Sequence, residues 1–175
     1  MKIYFFLFFL HLSFVHTGTC QTKQNNYLLK TINAEKDEFG VPCGYLNLKG
    51  DTIIPIGKYA YCFSDTLKHF AIVLDQENNC IAIDRQENIL FEVYWFDNGP
   101  DFFSEGLFRI IKDGKIGFAD RKGQIIITPQ FECATPFNNG KSKVTYHCNL
   151  KKDGEHTQME SNTWFFIDKA GNRVE

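Results

Sequence analysis

Three aspartates recur in similar local sequence, and they are the first residues in this chain whose type and spacing could do chemistry. Asp84 and Asp120 lie 36 residues apart, each after a short apolar run, and Asp168 follows a similar run. A calcium ion needs about six to eight converging oxygens, which one Asp per unit cannot supply alone. An Asp directly before a tight turn more often accepts hydrogen bonds from the amides of that turn. We therefore expect turn residues rather than metal ligands or general acids.

The remaining polar residues show no spacing that is typical of catalysis or metal binding. Beyond the N-terminal segment the histidines are His69, His147 and His156, and only His147–Cys148 joins two ligand types. There is no Gly-x-Ser-x-Gly elbow, His-Glu-x-x-His pair or phosphate-binding Gly loop. We expect no cofactor, no metal and no enzymatic activity. An enzyme acting on envelope polymers, built from groups that only the fold brings together, remains a third hypothesis.

The N-terminus is typical of a secretory signal peptide. A charged Met1-Lys2 start precedes an apolar run from Ile3 to Val15, which is too short for a bilayer span of about 20 residues. We expect residues 1–20 to be the signal, with cleavage after Cys20; the alternative is a lipoprotein in which Cys20 is lipidated. The mature chain would be periplasmic, secreted or at the cell surface, or lipid-anchored through Cys20, and would have no transmembrane helix.

Five cysteines follow the signal, and an odd number leaves at least one thiol unpaired. They are Cys43, Cys62, Cys80, Cys133 and Cys148, with no Cys-x-x-Cys pair among them. Export permits disulfides, and the spacing alone does not determine the pairing. Cys62, Cys80 and Cys133 lie in apolar contexts, which favours their interpretation as small buried hydrophobic residues.

The overall charge excludes some classes of partner. The formal net charge is −2 at pH 7, and Lys and Arg do not cluster. Nucleic acids and anionic membranes are bound by clustered basic residues. We therefore expect a protein or glycan partner, and no nucleic acid.

The aspartates belong to a longer phrase that returns along the chain at a nearly fixed period. Copies of this phrase begin at Gly44, Ala82, Gly117 and Trp164. Each is followed by a turn and a second apolar strand, which Pro55 or Pro129 is expected to end. A period of about 20–50 residues indicates stacked supersecondary units. The sequence predicts an all-β fold of tandem repeats of about 36 residues. Each repeat has about three antiparallel strands, in a solenoid-like or propeller-like hairpin array.

The period also suggests boundaries. We expect a leader with an N-terminal strand over residues 21–40 and a repeat domain over 41–175, with units at about 44–79, 80–115, 116–163 and a partial unit at 164–175. The third unit carries about 12 extra residues around 148–162, which predict a protruding hairpin. The last unit is either a truncated cap, or Tyr27–Ile32 pairs with the final strand and closes the array.

These parts together resemble WG repeat proteins, a bacterial family of tandem β-rich modules. The resemblance spans about residues 41–175 and rests on Gly117-Phe118-Ala119-Asp120 with Gly123, Ile126, Pro129, Phe131, Ala134 and Phe137, on Phe103–Leu107, and on Trp164–Asp168. Ile116 and Cys80 replace the signature Trp, Ile81 and Phe165 replace its Gly, and Asn47 replaces the Asp. The resemblance implies an often exported β-repeat scaffold without a shared catalytic site.

The densest aromatic cluster supplies the candidate binding residues. Aromatic residues make up 15% of the chain, and those between Phe91 and Phe103 exceed what one face of a strand can bury. Tyr94, Trp95, Phe96 and Asp101 are therefore candidates for contacting a partner, with packing between units as the other interpretation. The leading hypothesis is a non-enzymatic exported protein that binds another macromolecule. The alternative is a carbohydrate- or peptidoglycan-binding module with Tyr94 and Trp95 as stacking platforms.

Overall fold

A computed structural model describes residues 26–154 and 156–175, and the regular structure of this part of the chain is entirely antiparallel β. The predicted signal peptide, Cys20 and the first residues of the leader lie outside it. No segment within these ranges is a helix of the length and hydrophobicity that a membrane span requires. The predicted all-β class is confirmed.

The strands are short and most are joined by tight turns. In chain order they are β1 (Leu28–Ile32), β2 (Cys43–Leu46), β3 (Thr52–Tyr59), β4 (Tyr61–Cys62), β5 (Thr66–Leu67), β6 (Ala71–Leu74), β7 (Cys80–Ile83), β8 (Ile89–Val93), β9 (Trp95–Phe96), β10 (Gly99–Pro100), β11 (Leu107–Lys112), β12 (Lys115–Asp120), β13 (Ile125–Phe131), β14 (Cys133–Ala134), β15 (Ser142–Thr145), β16 (Asn149–Asp153), β17 (His156–Glu160), β18 (Phe165–Ile167) and β19 (Arg173–Val174).

Four three-stranded meanders form the body of the fold: β1-β2-β3, β6-β7-β8, β11-β12-β13 and β15-β18-β19. The chain that leaves one meander pairs with the first strand of the next. The pairs Tyr61↔Leu74, Val93↔Ile110 and Cys133↔Thr145 make these three joints. Main-chain hydrogen bonds therefore link each meander to its neighbour in the sequence.

The first two strands of the second meander are buried between the first and third meanders. All four residues of β6 and all four of β7 are buried, so neither strand shows the alternation of a sheet with one face in water. One face, with Val73 and Ile81, packs into a core with the first meander; the other, with Leu74 and Ala82, packs against Phe108 of the third. The hydrophobic core thus runs from meander to meander.

The first strand of the fold does not close the array. β1 pairs with β2 through Leu29↔Leu46 and with β5 through Leu28↔Leu67, whereas β19 pairs with β18. A strand has two hydrogen-bonding edges, and both edges of β1 are taken. The expectation that Tyr27–Ile32 could pair with the final strand is therefore wrong, and β1 is the first strand of the first meander.

The recurring aspartates are turn residues, as their sequence context predicts. Oδ1 of Asp120 accepts the amides of Lys122 at 2.8 Å and Gln124 at 2.9 Å. The same pair of bonds, from residues two and four positions later, forms at Asn47, Asp75, Asp84 and Asp168. The residue three positions after the Asp or Asn has a positive φ in all five turns, and it is glycine in only three of them.

Pro55 and Pro129 do not end their strands, contrary to expectation. β3 and β13 run through them as bulges, which take the proline out of the regular ladder where an N–H would be required. Main-chain atoms of each bulge lie close to a glycine of the paired strand, Gly44 in β2 or Gly117 in β12. A Cβ at Gly117 would lie 2.4 Å from the carbonyl oxygen of Ile127.

The second meander lacks both members of this glycine–proline pair. Ile81 occupies the position of the glycine and Val93 that of the proline. Here Ile81 pairs with Glu92 and Ala82 with Phe91 in unbroken register, so the bulge is missing at this position. The glycine and the proline thus occur together with the bulge, and the second meander lacks all three at this position.

Four of the five cysteines form disulfides, Cys43–Cys62 and Cys133–Cys148. Cys62 and Cys133 are buried, as expected, but they do not serve simply as small hydrophobic residues, because the fold brings each next to a disulfide partner that is distant in sequence. Cys80 is free and buried, as expected. The extra residues of the third unit form the predicted hairpin, β16–β17, with Asn149 opposite Glu160.

Gly117→Ala should destabilise the protein by about 1–3 kcal/mol, because its new methyl group overlaps main-chain atoms of the bulge. Gly99→Ala is the matched control, since a Cβ there meets nothing within 4 Å and its φ is not positive. Urea unfolding of both variants measures the difference. Equal stability of the two would contradict the proposed contact between glycine and bulge.

The turn at Asp168 allows its side-chain pair to be tested. A side-chain hydrogen bond from Asn172 and nearby amides hold the pKa of Asp168 below its ordinary value. This stabilisation is therefore complete above that ordinary value and is lost as the pH falls through the lowered one. Asn172→Asp would place a second carboxylate beside Oδ2 of Asp168, and we expect a lower melting temperature at pH 7. The deficit should shrink at acid pH.

The double variant Asp168→Asn/Asn172→Asp should recover the melting temperature of the wild type. It recreates the reversed pairing of the first turn, in which Nδ2 of Asn47 donates to Asp51 at 2.8 Å. Thermal unfolding at pH 7 distinguishes the variants. If the double variant is as unstable as the single one, the side-chain pair does not support the turn.

Candidate functional site

An exposed group of aromatic rings gathers from three separate segments. We call Phe39, Tyr61, Phe63 and Trp95 the aromatic surface. Neighbouring ring centroids lie 5.2 Å apart for Phe39–Tyr61, 5.0 Å for Tyr61–Phe63 and 6.0 Å for Phe63–Trp95. Phe39 is 66% exposed and Trp95 41% exposed. Tilted and edge-to-face rings at these distances stabilise one another and still leave apolar area open to solvent.

Trp95 reaches this surface from the hairpin β9–β10. In this hairpin Trp95 pairs with Pro100 and Phe96 with Gly99, and Asp97 has a positive φ of 57°. Successive side chains of a strand point to opposite faces. Trp95 therefore packs against Phe63, while Phe96 lies 5.9 Å from Phe102.

A buried ion pair fixes the segments on either side of this hairpin. Nη2 of Arg109 donates to Oδ1 of Asp101 at 2.7 Å, and its Nε donates to Oδ2 at 3.0 Å. Arg109 is 1% and Asp101 4% exposed. The main-chain amide of Arg109 also donates to Asp101, and its Nη1 donates to the carbonyl of Ala134 at 3.0 Å. Charge-assisted bidentate geometry of this kind is both strong and directional.

Two aromatic rings cover the guanidinium. The Tyr94 ring lies 4.2 Å and the Phe96 ring 5.2 Å from Cζ of Arg109. Burial raises the pKa of the Tyr94 hydroxyl, only partly offset by Arg109. Cation–π contacts with a desolvated guanidinium are worth about 2 kcal/mol or more. Tyr94 is therefore held in place by its contact with the guanidinium of Arg109.

The four predicted candidates fall into two groups. Asp101 is buried in the ion pair and Tyr94 is half-buried over Arg109, so both hold the site together. Trp95 and Phe96 are exposed, and Trp95 alone of the four belongs to the aromatic surface.

The sequence did not identify Phe39, Tyr61 and Phe63 as members of the site, because only the tertiary fold brings them beside Trp95. Arg109 did carry a signal. It stands among buried residues of the apolar run Leu107–Ile111, where a charge is rare without a partner.

A polar border lies beside the aromatic surface. Nζ of Lys30 pairs with Asp37 and, at 2.8 Å, with Asp65, and it lies 5.9 Å from the Tyr61 ring. Burial lowers the pKa of Lys30, but hydrogen bonds to Asp37 and Asp65 outweigh this and raise it overall. The Asp65 side chain remains 85% exposed. In residues 26–154 and 156–175, no three His, Cys, Asp or Glu side chains group so as to hold a metal.

The fold and this site define an all-β protein of linked antiparallel meanders that carries a solvent-facing aromatic surface. Residues 116–146, which span the end of the third meander and the start of the fourth, match the family model described as WG containing repeat. This match confirms the predicted resemblance to WG repeats over these residues. Searches of curated proteins and of solved structures return no match to the chain.

Removing one member of the Arg109–Asp101 pair should be far more costly than removing both. Arg109→Met or Asp101→Leu leaves a buried charge without its partner, which costs about 3–5 kcal/mol. The double variant should therefore be more stable than either single variant, and urea unfolding of the three gives the coupling energy. Lys151→Met is the control, because the Lys151–Glu160 pair is exposed and should contribute little. Strict additivity would contradict a coupled pair.

Proposed function

We propose that this protein is a non-enzymatic, exported β-repeat module that binds another macromolecule through the aromatic surface of Phe39, Tyr61, Phe63 and Trp95. The observation that carries this proposal is the clustering of four aromatic rings on one part of the fold, with Phe39 and Trp95 exposed and with Tyr61 and Phe63 partly buried between them and the core. Contiguous exposed apolar patches mark interaction sites, and Trp and Tyr dominate binding energy at interfaces.

The residues that support the aromatic surface are held rigidly, and this favours binding. Cys62 lies between Tyr61 and Phe63, and its disulfide to Cys43 ties both rings to the first meander. Arg109 and Asp101 secure the segments that flank Trp95. A surface that is ordered before it meets its partner loses less conformational entropy on binding.

We further propose that the scaffold is a solenoid-like array of tandem units of about 36 residues. Turns of successive units touch one another. Glu105 of the second unit accepts the amide of Gly140 of the third at 3.0 Å. Gly171 of the fourth unit lies against Ile127 of the third. Nearest-neighbour packing of this kind is typical of stacked repeats.

Export to the bacterial envelope or beyond is part of the proposal. Two disulfides support an oxidising compartment. We expect the protein recovered from a secreting bacterial host to begin at Gln21, as intact mass spectrometry can measure. A lipid-modified Cys20 that partitions into detergent would establish the anchored alternative. Recovery of the uncleaved chain from the cytoplasm would contradict export.

Carbohydrate or peptidoglycan is the second candidate partner, and one observation favours it. The exposed carboxylate of Asp65 borders the aromatic surface. Sugars are commonly bound by a ring that stacks on their C–H face together with acceptors for their hydroxyls. This candidate shares Trp95 with the first, so the same variants test both.

Trp95→Ala should lower affinity for the partner at least tenfold, because an interface Trp typically contributes 2 kcal/mol or more. Phe166→Ala is the matched control, since Phe166 is 42% exposed but lies in β18 of the fourth meander. Immobilised mature protein would be incubated with envelope extract. Each retained protein would be identified by mass spectrometry and then titrated in purified form. Co-sedimentation with purified peptidoglycan provides the glycan arm.

Specific loss of one ligand with Trp95→Ala, and not with Phe166→Ala, supports the proposal and identifies the class of partner. Phe39→Ala gives a second probe, because a residue that is 66% exposed can be truncated with little effect on folding. If binding survives both Trp95→Ala and Phe39→Ala, the aromatic surface is not the binding site.

A further inference from the structure

The two disulfides of the fold differ in what they hold. Cys43 and Cys62 join β2 to β4 within the first meander and its joint to the second. Cys133 lies in β14, whereas Cys148 directly precedes β16, the first strand of the extra hairpin. This hairpin forms a two-stranded sheet of its own. The second disulfide therefore clamps a protruding element to the body.

The two disulfides also differ in accessibility. Cys43 is 1% and Cys62 0% exposed, so both sulfurs of this disulfide are shielded from solvent. In the second disulfide Cys133 is 1% exposed, but Cys148 is half-buried and lines an open polar cavity of about 450 Å³. The other residues that line this cavity are Glu132, His147, Asn149, Glu160, Ser161, Asn162 and Thr163. Thiol–disulfide exchange requires a thiolate to reach one sulfur, so access decides which disulfide reacts.

Hydrogen bonds at the base of the hairpin add to the clamp. Glu132 accepts the amide of Cys148 at 2.9 Å and pairs with Lys115 at 2.9 Å. On the returning leg, Oγ1 of Thr145 lies 2.9 Å from the hydroxyl oxygen of Ser161 and 3.0 Å from that of Thr163. Each such bond contributes about 1 kcal/mol. Loss of the covalent link would leave the incoming leg with much weaker restraint.

We propose that Cys133–Cys148 is a thiol–disulfide exchange site whose reduction by a dithiol releases the hairpin 149–160, while Cys43–Cys62 stays intact. A thiolate of the dithiol attacks Sγ of Cys148, and the bond to Cys133 breaks. Cys133 leaves as a thiolate and takes a proton from water. The second thiol then attacks the mixed disulfide and displaces Cys148. Two electrons and two protons pass to the protein, and the dithiol becomes a disulfide.

Timed reduction of the native mature protein by dithiothreitol tests the chemical step. Thiols would be trapped with iodoacetamide and assigned by peptide mass spectrometry. We expect Cys148 to be labelled at least tenfold faster than Cys43 and Cys62. Burial raises the pKa of Cys80 to about 12, so Cys80 should stay unlabelled and report that the fold is intact. Equal rates for both disulfides, or faster reaction of Cys43–Cys62, would overturn the proposal.

Hydrogen exchange tests the release of the hairpin. Amides of residues 149–154 and 156–160 should exchange at least tenfold faster after selective reduction, while those of β6, β7 and β12 keep their protection. Cys133→Ser/Cys148→Ser should show the same fast exchange without any reductant. The same selectively reduced sample, reoxidised, is the matched control and should regain slow exchange. Unchanged exchange of the hairpin after complete reduction of Cys133–Cys148 would overturn the switch, even if the disulfide is reducible.

Discussion

The bidentate pair between Arg109 and Asp101 is the interaction on which the candidate site depends. Arg109 lies in the centre of β11, and its guanidinium reaches the residue after β10, the underside of Tyr94 and the carbonyl of Ala134. One side chain thus connects the second meander, the third and the chain that leads to the fourth. Taking two charges out of water is expensive, so the pair is a weak source of net stability. Its main contribution is to fix the geometry of the site, because the planar guanidinium makes two parallel hydrogen bonds to a carboxylate in one relative orientation.

Differences between the four meanders show which features the fold itself requires. Gly117 and Pro129 occur together with a bulge, and the second meander replaces both and has none at that position. The first turn exchanges its Asp and Asn, and the hydrogen bond survives with donor and acceptor reversed. Such compensated changes preserve backbone shape. By contrast, the hairpin formed by β16 and β17 has no counterpart in the other units, and Trp95 is exposed at the position where Tyr59 and Phe131 are buried. The repeat fold alone explains neither feature.

The local sequence correctly predicted the features that short-range interactions determine. The turn aspartates and the all-β class follow from short-range hydrogen bonding and strand composition, and both agree with the structure. Pro129 was misjudged because a bulge depends on the partner strand, which the local sequence does not contain. Cys62 and Cys133 were misjudged for the same reason. Within the site, the density of aromatic residues pointed to Trp95 and Phe96, whereas Phe39 joins Trp95 only through the packing of distant segments.

The placement of the two disulfides separates what must stay fixed from what can move. Cys62 lies between two members of the aromatic surface and is fully buried, so a reductant in solution reaches it only after the first meander opens. Cys148 borders a cavity at the base of an element that contributes no strand to the meanders. Under the proposed exchange at Cys148, a change in redox conditions would act on the hairpin without disturbing the aromatic rings. The aromatic surface would stay rigid, and regulation would be confined to an appendage whose release leaves the hydrophobic core intact.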